Sequence, residues 1–390
     1  MTVSILSFGY ADSILPLVNR LADKVDLELI LVYSKNRKGD SVLNFENMAV
    51  QTGFVNDSKV NAILGDIIKS YLNPKLRIRI FIYFNLKIRS VQNTILSLKL
   101  AGYLRQFDLI HINGQNAVIP LIYIFLPFCK FVFSIHDLEV HSGEKKQKQF
   151  DFSEVTNRMM IKSRHQVVLQ NKNDYNAACE KYSRNKDTIN YIPFGNLDIF
   201  RSFINHEEKP ELASDLLFFG RISEYKGIEY LIEAFRIVLE SNPDTTLIIA
   251  GSGKIYFNSI LNDHTSSIKL INRHINNEEL ASLISQTRIV ICPYTDATQS
   301  GVVMTAFAFN KPVIASAVGG FPDVIHSNIT GLLVPPKDSV KLAEAILFLL
   351  RNKNLIQDIS VNIINFNINS EFSWDRISEK YKELYISSSK

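Results

Sequence analysis

The hydrophobic positions of this chain come in short runs. Within residues 3–8, 27–33, 109–112, 130–135, 167–170 and 188–192 most positions are aliphatic or aromatic. Runs of this length, with little polar alternation, are the pattern of strands buried on both faces, as in a parallel sheet. A second series follows at 216–219, 246–250, 268–271, 289–292, 312–315 and 331–334. Between them lie segments with apolar residues three or four apart, such as 13–21, 227–239 and 339–350, which read as helices. Strand and helix in alternation predict an α/β protein with parallel sheets, and two such series predict two Rossmann-like domains. The polar, turn-rich stretch 193–210 marks the join. The expected domains are therefore 1–195 and 196–370. Trp374, Ile377, Tyr381 and Leu384 stand at helical spacing, so a closing amphipathic helix at about 371–388 is assigned to the first domain. The apolar stretch 117–133 carries Pro120 and Pro127 and falls short of the roughly 20 residues a spanning helix needs, so it reads as a buried helix followed by a strand.

Composition narrows the picture only a little. With 46% hydrophobic and 21% charged residues the chain has enough apolar material for packed cores, which excludes a mostly disordered protein. A net charge of +4 is too small to argue for nucleic acid. Cys129, Cys179 and Cys292 are far apart and show no metal-binding spacing, so they are expected to be reduced core thiols. The cysteines thus suit a cytosolic protein, and the first residues lack the basic start and long apolar run of a signal peptide.

In an open parallel sheet, ligands bind beyond the carboxyl ends of the strands, so the residues just after each strand matter most. Gly220-Arg221 closes one strand, and Lys226-Gly227 opens the next helix. A guanidinium offers a planar fork to phosphate, an ammonium a point charge, and both on one strand-to-helix loop can converge on a diphosphate. The same string is also compatible with two solvated surface cations. One β-α unit later, Gly251-Ser-Gly253 follows another strand. The run Thr298-Gln299-Ser300-Gly301-Val302 then leads into an apolar helix, whose first N–H groups suit anions and hydroxyls.

The order of these motifs is distinctive. Gly220-Arg221-x4-Lys226-Gly227, the Gly-x-Gly turn, Lys311-Pro312-Val-Ile-Ala315, Val318-Gly-Gly-Phe-Pro-Asp323 and Thr330-Gly-Leu-Leu-Val-Pro-Pro336 together resemble the donor domain of the family-4 retaining glycosyltransferases. The resemblance is good over residues 189–336 and loose in the first half. It implies the GT-B fold, two facing Rossmann-like domains with an interdomain cleft. It implies that Arg221 and Lys226 hold a donor diphosphate and that Gly220, Gly251 and the 298–302 loop approach the donor through backbone groups. The base is expected near His274 and Ile275. Front-face substitution through an oxocarbenium-like transition state is implied, with no metal or other cofactor.

One departure stands out. Family members usually carry two glutamates eight positions apart around this loop, and here Ala297 and Thr305 occupy those positions. Asp296 is one residue out of register. The Ala-Thr-Gln-Ser-Gly run resembles a variant branch in which Gln299 and Ser300 take over polar contacts, with Thr305 kept among the donor-binding candidates.

In the first half, His136 and Asp137 directly follow a buried strand. Two readings stand: a capping pair, or a histidine facing the donor sugar, which is what the resemblance implies, with Asp137 orienting it or receiving the acceptor. His141 is a further acceptor-side candidate, and Gly9 after the first strand is the counterpart of a glycine loop near the donor phosphates. Between Asp66 and Asp108 there is no acidic residue, whereas Lys69, Lys75, Arg77, Arg79, Lys87, Arg89, Lys99 and Arg105 are all basic. Arg77, Arg79, Lys87 and Arg89 suit an anionic membrane surface or a lipid-diphosphate acceptor. The alternative is an ordinary strand and helix with an exposed basic face, and RNA binding lacks any supporting signature.

The expectation is thus a peripheral glycosyltransferase on the cytoplasmic face of the membrane, moving sugar from a nucleotide-diphosphate sugar to a saccharide or lipid-linked saccharide in cell-surface polysaccharide synthesis. Its rivals are a non-catalytic nucleotide-sugar-binding partner and a GT-B sugar-nucleotide epimerase.

Overall fold

The computed structural model describes residues 1–35, 42–43, 45, 51–85, 87, 90–138, 152–182, 187–205, 214–257, 266–297 and 301–389. These fall into two compact units: 1–138, 152–195 and 374–389 form the first, and 196–257, 266–297 and 301–373 form the second.

The first unit is built on β1 (Thr2–Ser7), β2 (Asp26–Ser34), β3 (Gly53–Phe54), β4 (Arg77–Tyr83), β5 (Leu109–Asn113), β6 (Phe131–Ile135), β7 (Gln166–Leu169) and β8 (Ile189–Tyr191). They lie in the order β3-β4-β2-β1-β5-β6-β7-β8. All pairings are parallel except that of the short β3 with β4. Ile5, Leu6, Ile30, Leu31, Ile110, Ile112, Phe131 and Phe133 are fully or almost fully buried, as the uninterrupted apolar runs require. The chain leaves β1 toward β2 on one side and later returns to β5 on the other, so the strand order reverses between β1 and β5. That reversal opens a crevice at the carboxyl ends of β1 and β5.

The closing helix Trp374–Ser389 belongs to this unit. Its Trp374, Ile377, Tyr381, Leu384 and Tyr385 are buried. Burying each such side chain contributes about 2 kcal/mol, so packing rather than helix propensity holds the element in place. Ion pairs Arg20–Asp375 at 3.6 Å and Lys24–Glu379 at 2.7 Å flank the contact with helix Ala11–Leu21.

The second unit contains β9 (Ser214–Phe219), β10 (Leu247–Ala250), β11 (Ile268–Ile271), β12 (Thr287–Cys292), β13 (Val313–Ser316) and β14 (Gly331–Val334). They form one parallel sheet in the order β11-β10-β9-β12-β13-β14. Here the order reverses between β9 and β12, which puts this unit's crevice after Phe219 and Cys292. Helices Ile228–Ser241 and Ser339–Arg351 pack against each other, each burying one aliphatic face.

Two sequence expectations change here. The stretch 75–85 is not a continuous basic surface. Arg77 pairs with Asp26 at 2.9 Å, and Arg79 approaches the buried Glu28 at 3.4 Å while lying over the Phe54 and Tyr103 rings. The acids missing from the local sequence come from the neighbouring strand β2. Arg77 and Arg79 also begin β4, at the amino ends of the strands, away from the crevice. They are therefore corrected from acceptor-side candidates to charges that tie β4 to β2. Lys87, beyond the carboxyl end of β4, is exposed. Arg89 and His141 lie outside the described residues.

Candidate active site

Each unit carries a cluster of polar side chains at its own crevice. In the second unit, β9 ends at Phe219 and the chain passes Gly220 and the exposed Arg221 to a single 3-10 turn, Glu224–Lys226. Gly227 follows with φ 63, and a Cβ there would collide with the carbonyl oxygen of Pro293 just after β12. Glycine is thus required where the β9 loop and the β12 loop cross. Thr295 N–H donates to the Tyr225 carbonyl at 2.8 Å and reinforces the crossing.

The crossing shapes the surroundings of Lys226. Its side chain is largely buried, with the residue only 9% exposed, and Nζ lies 3.8 Å from the centroid of the Tyr294 ring and 4.9 Å from that of Tyr225. An ammonium over an aromatic face is stabilised by the ring quadrupole, more so when partly desolvated. Lys226 also acts on Cys292 at the end of β12. Burial pushes that thiol up to about 12, and the lysine charge offsets part of the shift. Cys292 is therefore an inert core thiol, and Lys226 supplies positive charge at the crevice floor.

Helix Gly301–Ala308 begins next to this loop: a Val302 methyl lies against Gly220, and Gly301 faces the Leu197 side chain. Thr298, Gln299 and Ser300 lie outside the described residues. Thr305 is corrected as a donor contact. It is 3% exposed, and its hydroxyl donates to the Gly301 carbonyl at 2.6 Å within the helix. Ala297 is likewise buried.

Gly251 also changes meaning. A Cβ on it would run into the carbonyl of Gly220, and its N–H donates to Ile271 at 3.0 Å. The Gly-x-Gly turn is needed so that the chain after β10 can lie against the chain after β9, where Ile222 and Gly253 form an isolated bridge. Its glycines serve backbone against backbone. His274 and Ile275 follow β11 in a loop held by the Arg273–Glu279 pair, with N–O distances of 2.6 and 2.8 Å.

In the first unit, Gly9 and Tyr10 follow β1, with Tyr10 in the left-handed region at φ 59. The Tyr10 ring stacks on the His136 imidazole, with centroids 4.1 Å apart and planes 14° from parallel. His136 Nε2 lies 3.1 Å from Asn113 Oδ1 at the end of β5. Asn113 Nδ2 in turn donates to Ser7 Oγ at 2.9 Å, and Ser7 donates to the Gly9 carbonyl. Because Asn113 uses its amide as donor to Ser7, it presents an acceptor to the imidazole, and Nε2 carries the proton of the neutral ring. Burial holds His136 down at about 4; the neighbouring Asp137 charge and a hydrogen bond to the Gln170 side chain pull the other way without prevailing. At neutral pH the ring is uncharged yet placed beside groups that favour positive charge. The Asp137 carbonyl accepts from Gln115 at 2.7 Å and Asn157 at 3.0 Å, which fixes the backbone around it.

Sequence reasoning missed Tyr10, Asn113, Gln170, Tyr225 and Tyr294. Tyr225 and Tyr294 do flank motif residues directly, which was a usable signal. Tyr10 and Gln170 become visible only when β1, β6 and β7 are placed side by side. Among the described residues no group of three or more His, Cys, Asp or Glu could hold a metal ion.

Comparison with known proteins gives these features a context. Residues 213–352 match the family model described as Glycosyl transferases group 1. An uncharacterized glycosyltransferase of Methanocaldococcus jannaschii is 28% identical over 275 residues, 65% of this chain and 68% of that protein. The D-inositol 3-phosphate glycosyltransferase of Corynebacterium diphtheriae is 24% identical over 263 residues, 63% of this chain but only 61% of that protein. Among solved structures, Anabaena HepE in complex with UDP superposes with a TM-score of 0.65 at 16% identity, covering 99% of this chain and 100% of that one. Residues 213–352 thus match the Glycosyl transferases group 1 family, and the chain as a whole shares the GT-B fold of similar solved structures, with two Rossmann-like parallel-sheet units.

Proposed function

We propose that this protein transfers a sugar from a nucleotide-diphosphate sugar to a saccharide or lipid-linked saccharide, with retention at the anomeric carbon, in the synthesis of cell-surface polysaccharide. The observation that carries the donor assignment is the placement of Arg221 and Lys226 on the loop after β9, at the reversal of strand order, with the lysine ammonium held over Tyr294. That is where an open parallel sheet receives ligands, and two cations there match a pyrophosphate. The diphosphate complexes of similarly folded proteins, such as HepE with UDP, support the same assignment.

The proposed chemistry follows from charge. As the bond between sugar and phosphate lengthens, negative charge grows on the leaving oxygen, and Arg221 and Lys226 stabilise it. Positive charge grows on the sugar. His136, held neutral by burial, adds no competing cation. The departing phosphate oxygen takes the acceptor proton. The residues need no metal for these roles, and full activity in excess chelator is expected. Asp137 serves the acceptor side.

A membrane-associated, cytoplasmic-face location is part of the proposal. Val91, Ile95 and Leu98 are exposed on helix Val91–Leu104, and Phe128 beside Arg105 and Arg164 is also bare. Among the described residues no helix is long and apolar enough to cross a membrane.

One observation favours a second reading, a nucleotide-sugar-binding partner without activity. Both positions where glutamates are usual are apolar or already hydrogen-bonded, since Ala297 is buried and Thr305 is bonded to Gly301. Measuring nucleotide release from UDP-, GDP- and ADP-sugars by wild type and Lys226→Ala separates the readings. Slow release by wild type and loss of donor affinity in the variant by about 10- to 100-fold, the value of one charge-assisted phosphate contact, are expected. Tight binding with no turnover on any acceptor lipid would favour the partner, and unchanged nucleotide affinity in Lys226→Ala would remove the donor assignment.

A further inference from the structure

Tyr10 holds a backbone conformation that bulky residues seldom take. It sits at φ 59, ψ 37, in the left-handed region, directly before helix Ala11–Leu21. Glycine enters that region freely, whereas a large side chain stays there only when its surroundings hold it. They do so here. The Tyr10 carbonyl accepts from the Ser13 and Ile14 N–H groups at 3.1 and 2.9 Å, and from the Ser13 hydroxyl at 3.1 Å. The residue before it is tied down by Ser7, whose hydroxyl donates to the Gly9 carbonyl. The phenol ring thus projects from a well-anchored point at the start of the helix.

A second unusual position makes room for that ring. Gly114, the first residue after β5, has φ 93, and its N–H donates to the Ser134 carbonyl at 3.0 Å. A Cβ there would lie 3.0 Å from Tyr10 Cε2, 3.3 Å from its Cδ2 and 3.9 Å from His136 Cδ2. The space a side chain would fill at 114 is taken by the stacked pair. At its edge the imidazole meets Asn113 Oδ1 at 3.1 Å, and on one face it meets the phenol at a centroid distance of 4.1 Å. One hydrogen bond leaves a ring free to tilt about it. A flat neighbour 14° from parallel removes that tilt. Two constrained backbone positions, 10 and 114, therefore converge on one contact, and that contact falls on the crevice histidine.

We propose that Tyr10 is a positioning residue for His136: its ring face sets the plane of the imidazole, and Gly114 admits the pair. The consequence for turnover rests on the reading of His136 given above, whereas the claim about ring orientation stands by itself. Locking the rotamer of an active side chain by packing is how a site is held within about 0.5 Å of its working geometry.

The test compares wild type, Tyr10→Phe, Tyr10→Gly and His136→Gln in the full chain. Glycine adopts φ 59 without strain, so Tyr10→Gly removes the ring and leaves the backbone path allowed; wild-type circular dichroism checks that it folds. Tyr10→Asn, which also tolerates the left-handed region, should reproduce its effects. The imidazole C–H protons of His136, assigned by their loss in His136→Gln, should lie upfield in wild type and Tyr10→Phe, because they sit over an aromatic face. In Tyr10→Gly they should move downfield to ordinary histidine positions. In donor turnover, Tyr10→Gly should lower kcat about tenfold with donor KM within about twofold, and the ring-retaining Tyr10→Phe should rescue kcat to within about twofold of wild type. Combined with His136→Gln, Tyr10→Gly should cause no further loss, because it acts only through the imidazole. Wild-type proton positions in Tyr10→Gly, a loss in Tyr10→Phe as large as in Tyr10→Gly, or a further loss of about tenfold in the double variant would overturn the proposal. Full turnover in His136→Gln would remove the functional reading of His136, and the proton shifts would then decide the orientation claim by themselves.

Discussion

Lys226 shows how much a single residue owes to its neighbours. Its ammonium lies over two phenol rings, on a turn that exists because Gly227 lets the β12 loop pass close by. The lysine and its glycines could be recognised from the Gly-Arg-x4-Lys-Gly string alone. The aromatic floor could not, because Tyr294 is 68 positions away in sequence and is brought there only by the β9–β12 pairing. Gly251 taught the reverse lesson: a glycine pair after a strand suggests a ligand, but the occupant of its missing side-chain space is the Gly220 carbonyl. Gly251→Ala is accordingly expected to destabilise the second unit by about 3 kcal/mol, since backbone must move on both sides of the contact. The check is calorimetric unfolding with and without saturating nucleotide; an unaltered transition would show that the turn tolerates a Cβ. Thr305 was misjudged for a related reason. Register placed it beside the donor loop, but a threonine inside a helix bonds its own backbone when its hydroxyl faces the preceding turn.

At the scale of elements, the strand series was readable because nearly every buried strand is an unbroken apolar run, and the closing helix because its apolar residues recur every three or four positions. β4 was harder to interpret. Its alternating Arg-Ile-Arg-Ile start looked like a basic surface, whereas strand pairing aligns Arg77 with Glu28 and Arg79 with Ile30, within reach of the Asp26 and Glu28 carboxylates. Partner charges on an adjacent strand cannot be seen in a local window. The apolar residues Val91, Ile95 and Leu98 of helix Val91–Leu104 are different, because they stand exposed while Leu100, Ala101 and Leu104 pack into the core. Val91 is 75% exposed and Phe128 94% exposed, with cations alongside. Such a surface, apolar with flanking positive charge, should partition onto anionic bilayers. In vesicle co-sedimentation, replacing Ile95, Leu98 and Phe128 with serine is expected to reduce binding to phosphatidylglycerol vesicles about tenfold or more, at roughly 0.8 kcal/mol per buried methylene. Equal binding of the triple variant, or equal binding of wild type to neutral and anionic vesicles, would count against the membrane surface.

For the whole molecule, pH ties function to stability. Burial holds His111 at about 3 and both His136 and His165 at about 4, below the ordinary 6.5. When the chain unfolds, these imidazoles return to ordinary basicity. Below about pH 6.5 the unfolded state therefore binds protons that the folded state refuses, and stability falls as pH drops toward the folded values; above that pH the effect vanishes. Trp374 is the one tryptophan in the chain and lies buried in the closing helix of the first unit, so its fluorescence reports this unit alone. The urea midpoint read from Trp374 should be flat from about pH 8 to pH 7 and fall steadily below about pH 6. A midpoint constant down to about pH 4.5 would mean that these histidines are not held neutral by the fold.

That last helix also has a bearing on biosynthesis. It is translated after the entire second unit, yet it covers His111 and Ser134 of the first. Until it emerges from the ribosome, the sheet face it will occupy is open. A pair of leucines at those two positions would be an adhesive strip on an unfinished nascent chain. Imidazole and hydroxyl can instead be hydrated during the wait and exchange water for the two tyrosine hydroxyls once the helix arrives. In that order of synthesis, His111 and Ser134 would keep the waiting sheet face wettable until the tyrosine hydroxyls replace water.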